Sequence, residues 1–104
     1  MSEVVLKAPV KATVDQVLMD GEWEEGRKFS PGAFAIDYEG EHFAYSCPCG
    51  CGSIGRLRIG EKQKPGLSPS WEWDGNRESP TLSPSIHQIG HWHGYLRAGF
   101  WTQV

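Results

Sequence analysis

Cys47-Pro-Cys49-Gly-Cys51-Gly52 gathers every cysteine of the chain on a backbone of proline and glycine. A thiolate is the strong ligand among common side chains, and it prefers soft or borderline cations such as zinc. Glycine lets the backbone bend tightly enough for several sulfurs to face one point, while proline stiffens the turn and removes an amide donor. Cys47 and Cys49 are too close in sequence to bridge each other comfortably. Three clustered cysteines also differ from the even-numbered, spread framework of a secreted disulfide protein. The run therefore reads as a metal knuckle in a reducing compartment. The competing reading is a set of unliganded thiols or an incidental Cys47–Cys51 disulfide.

A closed structural zinc site takes four nitrogen or sulfur ligands in a tetrahedron. Of the four histidines, His87, His91 and His93 lie together some way downstream. His91 and His93 are two residues apart, so on a strand both project from one face. The candidate ligands are Cys47, Cys49, Cys51, His91 and His93. One geometry uses the three sulfurs with His93. Another uses Cys47 and Cys51 with both His91 and His93, leaving Cys49 free. His42 and His87 read as surface or packing residues.

With 104 residues, the chain is expected to form one domain spanning residues 1–104. Thirteen glycines and seven prolines favour short elements and many turns over long helices. Five Trp, four Phe and three Tyr supply large burial area per residue. A core this small gains from a structural metal. The formal net charge of −3 argues against nucleic acid or an anionic membrane as partner. No apolar run approaches the roughly 18 residues that span a bilayer, and no signal peptide is evident. A cytoplasmic protein is expected.

Residues 1–20 suggest an extended segment through Val10, Ala12 and Val14, with a capped helical turn from Thr13 as the alternative. Residues 21–32 are a loop by composition. Ala33–Tyr38 and His42–Ser46 form a hairpin about Glu39-Gly40-Glu41, which puts the knuckle at the hairpin's far end. Ser53–Ile59 reads as another strand, and residues 61–69 as a polar loop. Trp71 and Trp73 share one face of a strand that ends at Asp74-Gly75-Asn76. Pro80 and Pro84 argue against a helix or a central strand, so residues 77–86 are expected at an edge, protected from pairing or contacting a ligand. His87–Trp101 alternates again, with a tight turn at Ala98-Gly99. The fold expected is mostly β: a small antiparallel sheet, sandwich or barrel of six to eight short strands, stapled by zinc.

Trp71-Glu-Trp-Asp-Gly-Asn76, Ser79-Pro-Thr-Leu-Ser-Pro-Ser-Ile86 and His91-Trp-His-Gly-Tyr-Leu-Arg-Ala-Gly-Phe-Trp101 follow the cysteine run in order. Together they resemble a family of small phage and bacterial proteins over residues 43–104. Bacterial members of that family sit beside genes for ubiquitin-like conjugation and deconjugation, and phage members often carry the label ammonia monooxygenase. In many of those relatives a cysteine lies just before the histidine that matches His93. Gly90, His91 and Trp92 hold that place here, so the resemblance implies His91 as the stand-in ligand. The monooxygenase label conflicts with the absence of a spanning segment, and three thiolates favour zinc over an imidazole-built copper(II) site.

These features point to a zinc-binding accessory or binding module, with a structural metal and a protein partner. The alternative is a zinc-dependent hydrolase with an open coordination position. Its general base would be Glu72, Asp74 or Glu78, with Asp74 foremost, although Asp74-Gly75-Asn76 also reads as plain turn chemistry. Trp71, Trp73, Trp92 and Trp101, flanked by Arg56, Arg58, Arg77 and Arg97, make an aromatic platform conceivable. In a chain this small they read more naturally as core.

Overall fold

Strand-length alternation and glycine-marked turns govern the architecture. The computed structural model describes residues 5–20, 26–66 and 68–104, so the readings at residues 1–4, 21–25 and 67 lie outside the described residues. Nine strands and one short helix are present among these residues: β1 (Val10–Lys11), β2 (Thr13–Val14), α1 (Val17–Asp20), β3 (Ala33–Ile36), β4 (His42–Ser46), β5 (Ile54–Glu61), β6 (Trp71–Trp73), β7 (Leu82–Gln88), β8 (Trp92–Arg97) and β9 (Phe100–Gln103). The N-terminal stretch contains both strand and a helical turn, but Thr13 lies in β2 and the turn starts from Asp15 instead. Strands β1 and β2 come first, and Asp15 Oδ1 then accepts the Val17 amide at 3.3 Å to start α1.

The sheet order is β1-β9-β8-β7-β6-β5-β4-β3-β2. Its two ends are consecutive in sequence, so Val10–Val14 curls the sheet into a nearly closed barrel. Val10 faces Trp101 across the β1–β9 pair, while Thr13 faces Ala33 across β2–β3. The Ala12 amide bonds the Gly99 carbonyl at 2.8 Å, and the Asp15 amide bonds Phe34 O at 2.8 Å. Most pairs are antiparallel, as expected, but β2–β3 and β5–β6 are parallel. Parallel neighbours need a longer connection. The β2–β3 connection contains α1, and the polar loop after Glu61 makes the other.

The barrel interior is aromatic. Phe34 stacks on Phe43 at 5.4 Å, and Trp92 meets Trp101 edge-on at 5.5 Å. Trp73, Trp92 and Trp101 are all buried, and the Trp101 indole donates to Gly32 O at 2.8 Å. Strand β3 is buried on both faces because α1 covers the outside. There Leu18 lies on Ala33, Ala35 and Ala44. Small alanine side chains let the helical turn sit close, and the wholly buried Leu18 contributes on the order of 2 kcal/mol.

The proline-bearing segment departs from expectation. Strand β7 lies inside the sheet between β6 and β8. Leu82 pairs with Leu96 and Ile86 with Gly94, so β7 carries more residues than β8 between these two points. Pro84 sits within this bulge, where no ladder donor is required, and the Ser83–Pro84 peptide is cis. Opposite it, a Cβ at Gly94 would run into the Thr102 carbonyl and the Trp92 ring.

Candidate functional site

The knuckle forms where β4 turns into β5. The Cys47 amide donates to Ser53 O at 2.9 Å, and the Gly50 amide donates to Cys47 O at 3.0 Å. Gly50 and Gly52 both take φ of 87°, a left-handed conformation that favours glycine. The three Sγ atoms come to rest within 4.8 Å of one another, with Cys47 and Cys49 in sulfur–sulfur contact at 3.0 Å. A zinc–sulfur bond of about 2.3 Å would space tetrahedral sulfurs about 3.8 Å apart. The three thiols therefore suit a single metal ion in spacing and in chemistry.

Their environments differ. Cys47 is fully buried, Cys49 half-buried and Cys51 exposed. Burial, joined by the Cys49 hydrogen bond, pushes the Cys47 thiol far above its ordinary value. At Cys51 partial burial works in the same direction, but hydrogen bonding by Ser53 and the neighbouring thiols prevails and brings it down to about 6. Tyr45 feels the same site: burial, and then the negative charge of Cys47 and Cys51, raise its hydroxyl well above normal. That hydroxyl donates to Gln88 Oε1 at 3.0 Å, tying the knuckle's wall to the end of β7. Tyr45 passes beside Gly55, where a Cβ would fall on the ring.

The structure brings Cys47, Cys49 and Cys51 together, and neither His91 nor His93 supplies an atom to that cluster. His91 lies half-buried in the turn after β7, its amide donating to Gln88 O at 2.9 Å. His42 is exposed and meets Asp37 Oδ2 at 2.6 Å, as suits a surface residue. Asp74 accepts the Asn76 and Thr81 amides at 3.0 and 3.2 Å, which is turn chemistry. It follows Trp73, which pairs with Glu61, at the end of β5 remote from the knuckle. Seven residue steps along β5 separate its two ends, roughly 23 Å.

His93 has a different partner. Its Nε2 lies 3.3 Å from Ser85 Oγ, across the β7–β8 hairpin. Ser85 directly precedes the buried Ile86, so alternation sets it on the outer side of the barrel, half-buried, next to a half-buried His93. The supports are specific. The Trp71 indole donates to Ser85 O at 3.2 Å. Gln103 Nε2 and the Val104 amide donate to His93 O at 2.9 and 3.1 Å. The His87 ring stacks on the His93 ring at 4.5 Å with a 26° interplanar angle. A hydroxyl held against an imidazole in this way is the arrangement from which a base activates a nucleophile.

A family model described as bacterial ubiquitination-like system serine protease (BubE) matches residues 20–104. The chain belongs to the BubE family. No curated protein and no solved structure matches it. Membership in BubE agrees with the expected tie between this sequence and bacterial ubiquitin-like conjugation. Among the described residues of this BubE member, no helix is long and apolar enough to cross a membrane. A sheet edge or a ligand-contacting strand, the two readings of Ser79–Ser85 from sequence, does not single out Ser85. The available signal was a serine and a histidine on either side of a short turn. Such a pair meets across a hairpin once the register is known.

Proposed function

We propose that this BubE member is a serine hydrolase of peptide-type acyl bonds, with Ser85 as nucleophile and His93 as general base. The observation that carries this reading is the 3.3 Å approach of Ser85 Oγ to His93 Nε2 in a chain of this family. As Ser85 Oγ attacks the scissile carbonyl carbon, His93 Nε2 takes its proton. The imidazolium then gives that proton to the leaving amine as the carbon–nitrogen bond breaks, leaving an ester on Ser85. Water attacks this ester with His93 again as base, which releases the carboxylic acid and restores the hydroxyl. His87 holds the imidazole plane by stacking, and Trp71 fixes the backbone that carries Ser85.

In the same reading, Cys47, Cys49 and Cys51 hold a structural zinc ion, which ties the end of β4 to the start of β5. Giving His93 to the hydrolytic pair leaves His91 as the histidine to test at the fourth position. The partner class is a protein of a ubiquitination-like system, in keeping with the family's description. A zinc-centred hydrolase has weaker support, because Asp74 is engaged in its own turn at the far end of β5.

A fluorophosphonate probe tests the assignment. The reading expects a single adduct on the Ser85 peptide, absent from Ser85→Ala and strongly reduced in His93→Ala. An adduct on another serine, or none on folded protein, would overturn it.

A further inference from the structure

The outer face of β8 continues past the Ser85–His93 pair. His93, Tyr95 and Arg97 alternate along this strand with the buried Trp92, Gly94 and Leu96. Residues two apart on a strand are roughly 7 Å apart, so Tyr95 is the next outward side chain after the general base. Arg97 is exposed, and its guanidinium carbon lies 3.8 Å from the centre of the Tyr95 ring. On the neighbouring strand, Phe100 faces Arg97 across the β8–β9 pair and is 45% exposed.

This stack has an unused capacity. Arg27 and His42 have carboxylate partners, but among the described residues Arg97 has the Tyr95 ring and no carboxylate. A guanidinium lying on an aromatic ring keeps its edge donors free, and the contact limits the rotamer freedom lost when an anion binds. The fork of N–H groups matches a carboxylate.

We propose that Tyr95 and Arg97 form a carboxylate-binding subsite for the substrate of the Ser85 centre. An extended peptide advances about 3.3–3.6 Å per residue. A carboxylate two or three residues from the scissile bond therefore reaches Arg97 while the bond sits at Ser85. The group recognised is an Asp or Glu side chain or a terminal α-carboxylate. This inference rests on the serine-hydrolase reading above.

The test is digestion of a random-sequence synthetic peptide library by the purified full chain, with cleavage positions read by mass spectrometry. One half of the library has free C-termini and the other half amidated ones. The expected result is Ser85-dependent cleavage with a carboxylate enriched at one fixed position two or three residues from the cut. Arg97→Gln should lower cleavage of those peptides about tenfold through KM and leave neutral peptides within twofold. Arg97→Lys should recover part of the preference. Enrichment that survives amidation identifies an acidic side chain, and enrichment lost on amidation identifies the chain terminus. Ser85-dependent cleavage without carboxylate preference, or a preference that persists in Arg97→Gln, overturns the subsite alone. Absence of any Ser85-dependent cleavage overturns the hydrolase reading together with it.

Discussion

The cysteine knuckle and the Ser85–His93 pair sit on one barrel but are assembled by opposite means. Cys47, Cys49 and Cys51 come together within a single turn, through glycine φ values and hydrogen bonds among residues 47–53. Ser85 and His93 meet only because two strands pair in a particular register, with Ile86 facing Gly94 and His87 facing His93. Local geometry makes the first; tertiary structure makes the second. The knuckle's influence nonetheless crosses the barrel, since Tyr45 leaves its neighbourhood and bonds Gln88, directly after His87. The strand that leads into the cysteine turn is thus tied to the end of the strand that carries Ser85.

Removing the metal should have the largest effect. Structural zinc sites bind with apparent free energies on the order of 10 kcal/mol, and that energy is folding energy. Chelation, or Cys47→Ser, is expected to lower the melting temperature steeply by circular dichroism and to abolish fluorophosphonate labelling as well. If chelated protein melts normally and still labels, the knuckle does not brace the hydrolytic face. Ser85→Ala should do the reverse. Turnover should fall by about a thousandfold or more, while stability shifts by less than about 0.5 kcal/mol and metal content is unchanged. A large loss of stability would show that Ser85 is a structural residue.

Trp71→Phe sharpens the contrast at smaller scale. It deletes the donor to Ser85 O and keeps the packing ring. Small misplacement of a nucleophile is expressed in kcat, so a loss of roughly tenfold with little change in KM is expected from steady-state kinetics. Equal turnover would mean that the Trp71 donor does not position Ser85.

Asp37→Ala should be smallest, because the β3–β4 turn lies at the end of β4 away from the knuckle. Asp37 Oδ1 accepts the Glu41 and His42 amides at 2.8 and 3.0 Å. Burial opposes ionisation there, but hydrogen bonding and charge from His42 outweigh it and hold the carboxyl below its ordinary value of 3.8. Its contribution is then complete above that value and is lost as pH falls through the lowered one. Denaturant melts should show a deficit of about 1 kcal/mol at neutral pH, shrinking as the pH drops below 3.8.

Which parts were legible follows from the same division. The β3–β4 hairpin, the strand after the knuckle and the Ala98-Gly99 turn were readable because alternation and glycine act over a few residues. Ala98 and Gly99 indeed take φ of 48° and 80°. Prolines at 80 and 84 pointed to a sheet edge because a proline lacks a ladder donor. The bulge removes that objection, and no local pattern announces a bulge. The parallel β5–β6 pair was hidden for a similar reason, since it depends on a loop closing back over the sheet. Burial of β3 on both faces required knowing that α1 lies outside it. Ser85 stayed unseen because its partner is defined by register, not by spacing.

Val10–Val14 runs from β9 to β3, pairing with each, and works as a clasp. Its own ladders are short beside the long β4–β5 and β7–β8 ladders, and Ala12 packs into the shared aromatic core. Two meanders, β3 to β5 and β7 to β9, are thereby joined through β6 on one side and through the clasp on the other, with Phe43 and Tyr45 of the first packed on Trp101 of the second. The cysteines lie between two strands of the first meander, and the serine and histidine lie on two strands of the second.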